Sequence, residues 1–396
     1  MNPELPDHGS RITDHGSRIT HHSSLITFAT TWDDQCGIAV YSGSLVPELE
    51  KYVEVDVVSL DRANTLPLDQ LAERLNQGDV IHIQHQYPFF GGMALHRNWF
   101  RKLLRRLKQP LVVTIHELDF GEEESWPLNM YKPWFNHHLF GAPEIDRIIV
   151  HTQGYREALV TLGIEPEDIR VVPEGVPHVP EVTISSEHAK SELGLAGKRI
   201  VTVFGFVVRR KGYEIALEAL KQLPDDVVLL IAGGCHPDDR TGFFDELKAR
   251  SSERVIVTGY LLDDRAAGAS AAGASIPDRR DIPDRRDIPT VMAATDVIAA
   301  PFTEMGNSGS IMRSIAYGKP IVASDLPASR EINERLPCLE LFRAGDPFDL
   351  AARINGILEN NEEAVKAVQA YAREFTVARS AAETFAVYQE LLGTRH

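Results

Sequence analysis

The sequence predicts an α/β protein made of two doubly wound parallel-sheet domains that face a cleft. Three observations carry this expectation. Short apolar, β-branched runs recur at 25–31, 53–60, 80–84, 111–116 and 147–151, and again at 199–204, 227–233, 254–260, 296–302 and 319–325. Amphipathic stretches of helical period separate them, and short strands apolar on both faces belong to parallel sheets covered on both sides. The proline-rich segment 173–180 (PEGVPHVP) breaks the series near its midpoint, and Ser185-Ser186-Glu187 restarts it with a capped helix. A chain of 396 residues is long enough for two or three domains.

The expected boundaries follow. Residues 7–13 (DHGSRIT) repeat at once as 14–20, and 266–270 (AAGAS) and 276–281 (IPDRRD) are likewise each repeated once. Two copies of so short a period cannot build a repeat architecture. Residues 1–24 therefore read as a disordered leader and 265–287 as an inserted surface loop. Between them lie a first domain at 25–180 and a second at 181–375.

Composition narrows the function. The balance of 41 basic against 57 acidic residues, a net charge of −16, argues against non-specific nucleic-acid binding. Cys36, Cys235 and Cys338 stand far apart and suggest neither a disulfide framework nor a zinc site. No apolar run reaches the roughly 20 residues that span a bilayer. The polar N-terminus lacks an apolar signal core, so the expected location is the cytoplasm.

Two strand-to-helix junctions in the second half have the chemistry of an anion site. Gly306, Asn307, Ser308, Gly309 and Ser310 form a small-residue turn opening the helix at 311–316, where unpaired N–H groups and a helix dipole favour negative charge. A hundred residues earlier, 205–212 (GFVVRRKG) follows an apolar strand and brings Arg209, Arg210 and Lys211 to a second helix start. Backbone donors on one side and cations on the other suit a diphosphate.

Further motifs complete the pattern: 36–41 (CGIAVY) after the first strand, 84–86 (QHQ) with 89–92 (FFGG), 113–117 (VTIHE), 170–176 (RVVPEGV), and 308–325 ending in YGKPIVASD. In this order and spacing the chain resembles GT-B-fold glycosyltransferases of the family 4 type, over about residues 25–394. The resemblance implies two Rossmann-like domains and a C-terminal helix, 376–396, that packs back on the first. It implies transfer, with retention of configuration, from a nucleotide-diphosphate sugar held by the second domain to a glycan, lipid-linked or small-molecule acceptor on the first, without a metal or other cofactor.

By this resemblance Lys211 and Arg210 stabilise the departing diphosphate, while Gly306 to Ser310 and Gly37 let it approach backbone. His116 lies near the donor sugar and Glu304 meets its hydroxyls. Two departures stand out. The family usually has an arginine where this chain has Phe206, with Arg209 as the substitute cation. Its paired glutamates are missing, because their positions hold Met305 and Arg313. Glu117 and the run Glu122-Glu123-Glu124 are acceptor-side candidates or a solvated loop. The paired aspartates at 33–34, 225–226, 238–239 and 263–264 read as turns. Segment 96–108 (HRNWFRKLLRRLK) predicts an amphipathic helix whose basic face suits a peripheral contact with the inner membrane face or simply solvent. A sugar-nucleotide epimerase and a non-catalytic sugar-nucleotide-binding protein are the alternative functions; the first would need acid and base carboxylates that the sequence does not display.

Overall fold

The computed structural model describes residues 24–32, 36–60, 66–119, 127–235, 241–262, 287–305 and 308–393. The expected leader and inserted loop lie essentially outside these residues. So do Gly306, Asn307, Glu122-Glu123-Glu124 and the aspartates at 33–34, 238–239 and 263–264.

The first half runs β1 (Leu25–Thr30), α1 (Gly37–Leu49), β2 (Glu54–Ser59), α2 (Leu68–Leu75), β3 (Val80–His85), α3 (Phe100–Leu104), β4 (Leu111–Ile115), α4 (Leu128–Phe140), β5 (Arg147–Val150), α5 (Gln153–Thr161) and β6 (Ile169–Val171). The second half opens with α6 (Ser186–Glu192), β7 (Arg199–Phe204), α7 (Tyr213–Leu220), β8 (Val227–Ala232), α8 (Phe243–Lys248) and β9 (Val255–Val257). It continues through α9 (Ile288–Ala294), β10 (Val297–Ala300), α10 (Gly309–Ala316), β11 (Ile321–Ser324), α11 (Pro327–Arg335) and β12 (Leu339–Phe342). Three helices close the chain: α12 (Pro347–Glu359), α13 (Glu362–Glu374) and α14 (Val377–Gly393).

Two six-stranded sheets result, in the orders β2-β1-β3-β4-β5-β6 and β12-β11-β10-β7-β8-β9. Every strand pair is parallel. Each predicted apolar run holds a strand, while β6 and β12 lie outside those runs. Both are sheet edges and carry a charge in the ladder, Arg170 and Glu340, which dilutes the apolar signal that marks interior strands. Interior strands such as β3 and β8 are buried along their whole length.

Strand order reverses at β1 in one sheet and at β7 in the other. In open α/β sheets the crevice for a ligand opens beyond the carboxyl ends of the strands at such a switch point. The loops after β7 and β10, which carry the two anion junctions, flank one of these crevices.

The chain crosses between domains twice, and the crossings touch. Val176 N–H donates to Phe375 O at 2.7 Å and Val377 N–H to Val176 O at 3.0 Å. A Cβ at Gly175 would lie 2.5 Å from Thr376 O, so this approach requires glycine. Beyond the crossing, α14 lies on α1: Val377, Ala381, Val387, Tyr388 and Leu391 share a core with Ile26, Phe28, Leu45 and Leu49. Glu390 on α14 pairs with Arg147 at 3.0 Å and Arg170 at 2.6 Å.

The long amphipathic helix expected at 96–108 does not form. Only α3 is helical there, five residues long. Asn98 pins its start, receiving Phe100 N–H at 3.1 Å and donating to Gly92 O at 2.8 Å. Asn76 stops its end, receiving Lys108 N–H at 2.7 Å and donating to Arg106 O at 3.0 Å. These side-chain bonds compete with a helical ladder on both flanks. Among the described residues no helix is long and apolar enough to cross a membrane.

Candidate active site

The two anion junctions meet. β7 ends at Phe204, and Gly205 follows with φ +96°, a conformation open to glycine. The chain then turns through Arg209, Arg210 and Lys211 into α7. Gly212 sits so close to the loop after β10 that a Cβ there would meet Pro301 O at 1.8 Å. Thr303 N–H donates to Arg210 O at 2.8 Å, stitching the two loops together. On the far side Ser308 caps α10, its Oγ accepting from Ile311 N–H at 3.4 Å. A Cβ at Gly205 would lie 2.6 Å from Lys211 Nζ and 3.3 Å from Ser310 Cβ. The Lys211 ammonium and the N-terminal turn of α10 therefore both close in on Gly205.

Lys211 is buried. Its Nζ donates to Phe204 O at 2.5 Å and lies 5.7 Å from the Phe302 ring. Burial, and then the charge of Arg210, bring its pKa from an ordinary 10.5 down to about 7. Among the described residues its hydrogen-bond partner is that one carbonyl, so this ammonium stands to gain from a bound anion.

The remaining donor-side candidates divide. Arg210 is exposed, and its charge reaches Tyr155 of α5 across the cleft. Arg209 is tied elsewhere, to Glu246 of α8 at 3.2 Å and over the Phe243 ring at 4.3 Å. It does not join Lys211. Gly309 opens α10, Glu304 is exposed, and Met305, the residue in the first signature position, lines the cleft. Arg313 is buried in α10. Gly37 is the first residue of α1, and among the described residues nothing beyond its own chain neighbours and helix backbone lies within 4 Å of where its Cβ would be.

On the first domain, His116 follows β4. Its Nε2 is 2.6 Å from Gln84 Oε1, and its ring lies 5.0 Å from those of both Tyr41 and His151. Burial, then the charges of His151, His82 and His85, hold its pKa well below 6.5. It is a neutral imidazole at physiological pH. Glu117, beside it, is exposed and receives Gln86 Nε2 at 3.4 Å. The aspartates at 225–226 are turn residues paired with arginines, Asp225 with Arg254 at 3.3 Å and Asp226 with Arg199 at 2.7 Å. Among the described residues no group of three His, Cys, Asp or Glu side chains is placed to hold a metal ion.

Glu174 and His151 also line the cleft, although nothing in their sequence context singles them out as more than motif or strand-end residues. Glu174 Oε1 is 3.4 Å from the Cβ position of Gly309, so the interdomain segment brings a carboxylate to the start of α10. The two walls also touch directly. Gln153 N–H donates to Glu331 Oε1 at 2.8 Å, and Arg335 donates to His151 O at 3.1 Å.

Known proteins share this frame. Residues 57–178 match the Glycosyltransferase Family 4 domain, and 267–360 match the Glycosyl transferases group 1 domain. The phosphatidyl-myo-inositol mannosyltransferase of Mycobacterium leprae (strain TN) is 26% identical over 321 residues, covering 77% of this chain and 75% of its own. Among solved structures, Anabaena HepE in complex with UDP-glucose superposes with a TM-score of 0.69 at 18% identity, covering 93% of this chain and all of the other. The lipopolysaccharide glycosyltransferase WaaG superposes at 0.61 with 14% identity, covering 93% and 100%. The family 4 match on the first half, the group 1 match on the second and the shared two-sheet fold agree with the motif order, and the chain is a GT-B-fold glycosyltransferase of the family 4 type.

Proposed function

We infer that this enzyme takes its sugar from a nucleotide-diphosphate donor held against the second domain, and passes it to an acceptor on the first with retention of configuration. The observation that carries the reading is the convergence of Lys211 Nζ and Ser310 on the space above Gly205. Charge that develops on a departing diphosphate would meet the Lys211 ammonium and the positive end of α10, groups already oriented before reaction. Arg210, at the mouth, supplies a second cation. His116 is neutral and so orients sugar hydroxyls by hydrogen bonding rather than by charge. With the leaving group stabilised on one face, the acceptor hydroxyl attacks from that same face as the bond to the diphosphate breaks, its proton passing to the departing phosphate oxygen, and this gives retention. Closure of the cleft would exclude water and suppress donor hydrolysis.

A melting-temperature screen against UDP-, GDP- and ADP-sugars tests the donor, since a ligand that binds only the folded state raises the transition. A rise with one base and transfer with a retained anomer support the reading. Epimer formation, or binding without turnover, would overturn it.

The acceptor we propose is lipid-linked, reached from the membrane surface. Arg97, Lys102, Arg105 and Lys108 are exposed around α3, and Leu95, Leu128, Met130 and Trp134 are exposed on and near α4. The two groups adjoin: Leu95 N–H donates to Tyr131 Oη at 3.2 Å, and Trp134 stacks on His138, which feels the charges of Arg101 and Arg105. Cations beside exposed aromatic and aliphatic side chains suit an anionic lipid interface. The mycobacterial relative, by its name, acts on a phospholipid. Arg101 and Arg106 are engaged with Glu144 at 2.9 Å and Asp69 at 2.5 Å, so they are poor probes. Lys102→Glu/Arg105→Glu is expected to lower flotation with anionic vesicles severalfold and Trp134→Ala to lower it further. Equal flotation of all variants would remove the idea.

A further inference from the structure

Beneath His116 lies a chain of buried polar side chains that the transfer reading does not use. Tyr388 Oη of α14 is 2.5 Å from His82 Nδ1. His82 Nε2 is 2.7 Å from Thr114 Oγ1 and 3.0 Å from Gln84 Nε2. Gln84 Oε1 then meets His116 Nε2 at 2.6 Å. His82, Gln84, Thr114 and Tyr388 are all essentially excluded from solvent.

Hydrogen-bond inventory makes this chain directional. An amide nitrogen only donates and an amide oxygen only accepts. Gln84 Nε2 facing His82 Nε2 therefore requires that nitrogen to be an acceptor, which places the proton of neutral His82 on Nδ1, facing Tyr388. Gln84 Oε1 facing His116 requires His116 to be protonated at Nε2. Its Nδ1 is then left as an acceptor. Turning the amide over would reverse both imidazoles together, so Gln84 couples the two tautomers.

We propose that Gln84 is a positioning residue of the transfer reaction, its amide holding His116 in the tautomer protonated at Nε2, with His82 and Tyr388 of α14 holding the amide in that orientation. This rests on the reading of the cleft as the transfer site. α14 starts at the second interdomain crossing, so a hydroxyl delivered by the last helix sets the hydrogen-bonding character of a histidine at the reaction centre. Removing it as Tyr388→Phe leaves the buried Nδ1–H of His82 without an acceptor. His82 then favours its Nε2–H form, the amide turns over, and His116 follows into the Nδ1–H form.

The test uses full-length protein with ¹⁵N-labelled histidine and long-range ¹H–¹⁵N correlation, the His116 signals being assigned by their loss in His116→Asn. The expected wild-type spectrum has a protonated Nε2 and a bare Nδ1 on His116. Tyr388→Phe is expected to invert that pattern, and Gln84→Leu to leave a mixture. In steady-state kinetics Gln84→Leu is expected to lower kcat roughly 10- to 100-fold while the donor KM stays within about threefold. Gln84→Glu, which still accepts from His116, is expected to restore the Nε2–H form and part of kcat. A wild-type His116 protonated at Nδ1 overturns the proposal, as does a Gln84→Leu variant with unchanged tautomer and unchanged kcat. The tautomer is read without turnover, so a failure of the donor reading would be seen separately, as wild-type protein inert toward every nucleotide sugar.

Discussion

Lys211→Met is expected to melt above wild type in the absence of ligand and to lose the melting shift that a nucleotide diphosphate gives. The two effects share one cause. A buried ammonium whose one hydrogen-bond partner among the described residues is a carbonyl destabilises the free fold, and an apolar side chain of similar length removes that cost. The same ammonium is what the diphosphate meets. A kcat/KM lower by roughly 100- to 1,000-fold is the scale for losing one preorganised charge-stabilising donor.

The pH dependence has a definite sign. Lys211 titrates at about 7 in the free protein against 10.5 ordinarily, so between those values the unfolded chain holds one more proton than the folded one. Ligand-free stability should therefore climb by roughly 1.4 kcal/mol per pH unit through that window in wild type relative to Lys211→Met. Donor binding runs the other way. A bound anion raises the Lys211 pKa, so below pH 7 the site is already charged, whereas above it binding must take up a proton. Affinity for the nucleotide diphosphate should fall by up to about tenfold per pH unit above 7, with calorimetry in buffers of different ionisation enthalpy registering uptake of up to one proton. Affinity flat from pH 6 to 9, with no proton uptake, would place the diphosphate away from Lys211.

The legibility of this chain follows the strength of its local signals. Interior strands such as β8 announce themselves because every residue is apolar, whereas β6, with Arg170 at its centre, does not. Lys211 and Ser308 to Ser310 stand out in the sequence as candidates because a glycine-flanked cation and a small-residue helix start each have a local chemical meaning. That the two junctions share one space is a property of strand order, since β10 lies beside β7 although a hundred residues separate them. Arg209 shows the limit of proximity in sequence: two positions from Lys211, it is held against α8 by Glu246 and Phe243. The helix expected at 96–108 failed for a related reason, because periodicity cannot foresee that Asn76, from α2's end, takes the backbone bonds that would have extended it. Gln84 and Tyr388 illustrate the longest reach, since their pairing through His82 spans most of the chain.

Gly205→Ala is expected to abolish donor binding while leaving a folded protein. Two costs fall on the fold. The residue sits at φ +96°, where a side chain adds about 1–3 kcal/mol of backbone strain, worth a few degrees of melting temperature in a chain of this size. The new methyl would also stand 2.6 Å from Lys211 Nζ, which a flexible lysine can relieve only by moving. The cost to binding is of another kind. The methyl fills the space between the ammonium and the first turn of α10, and any relief by Lys211 takes the charge away from the diphosphate. Gly37→Ala is the contrast, because among the described residues nothing crowds its Cβ position and the unliganded fold should be indifferent to it. Affinity measured by calorimetry well below each variant's melting transition separates folding from binding. A loss of about 100-fold or more in Gly205→Ala is the expected result, and wild-type affinity there would mean that the donor's phosphates lie outside the space between Lys211 and Ser310.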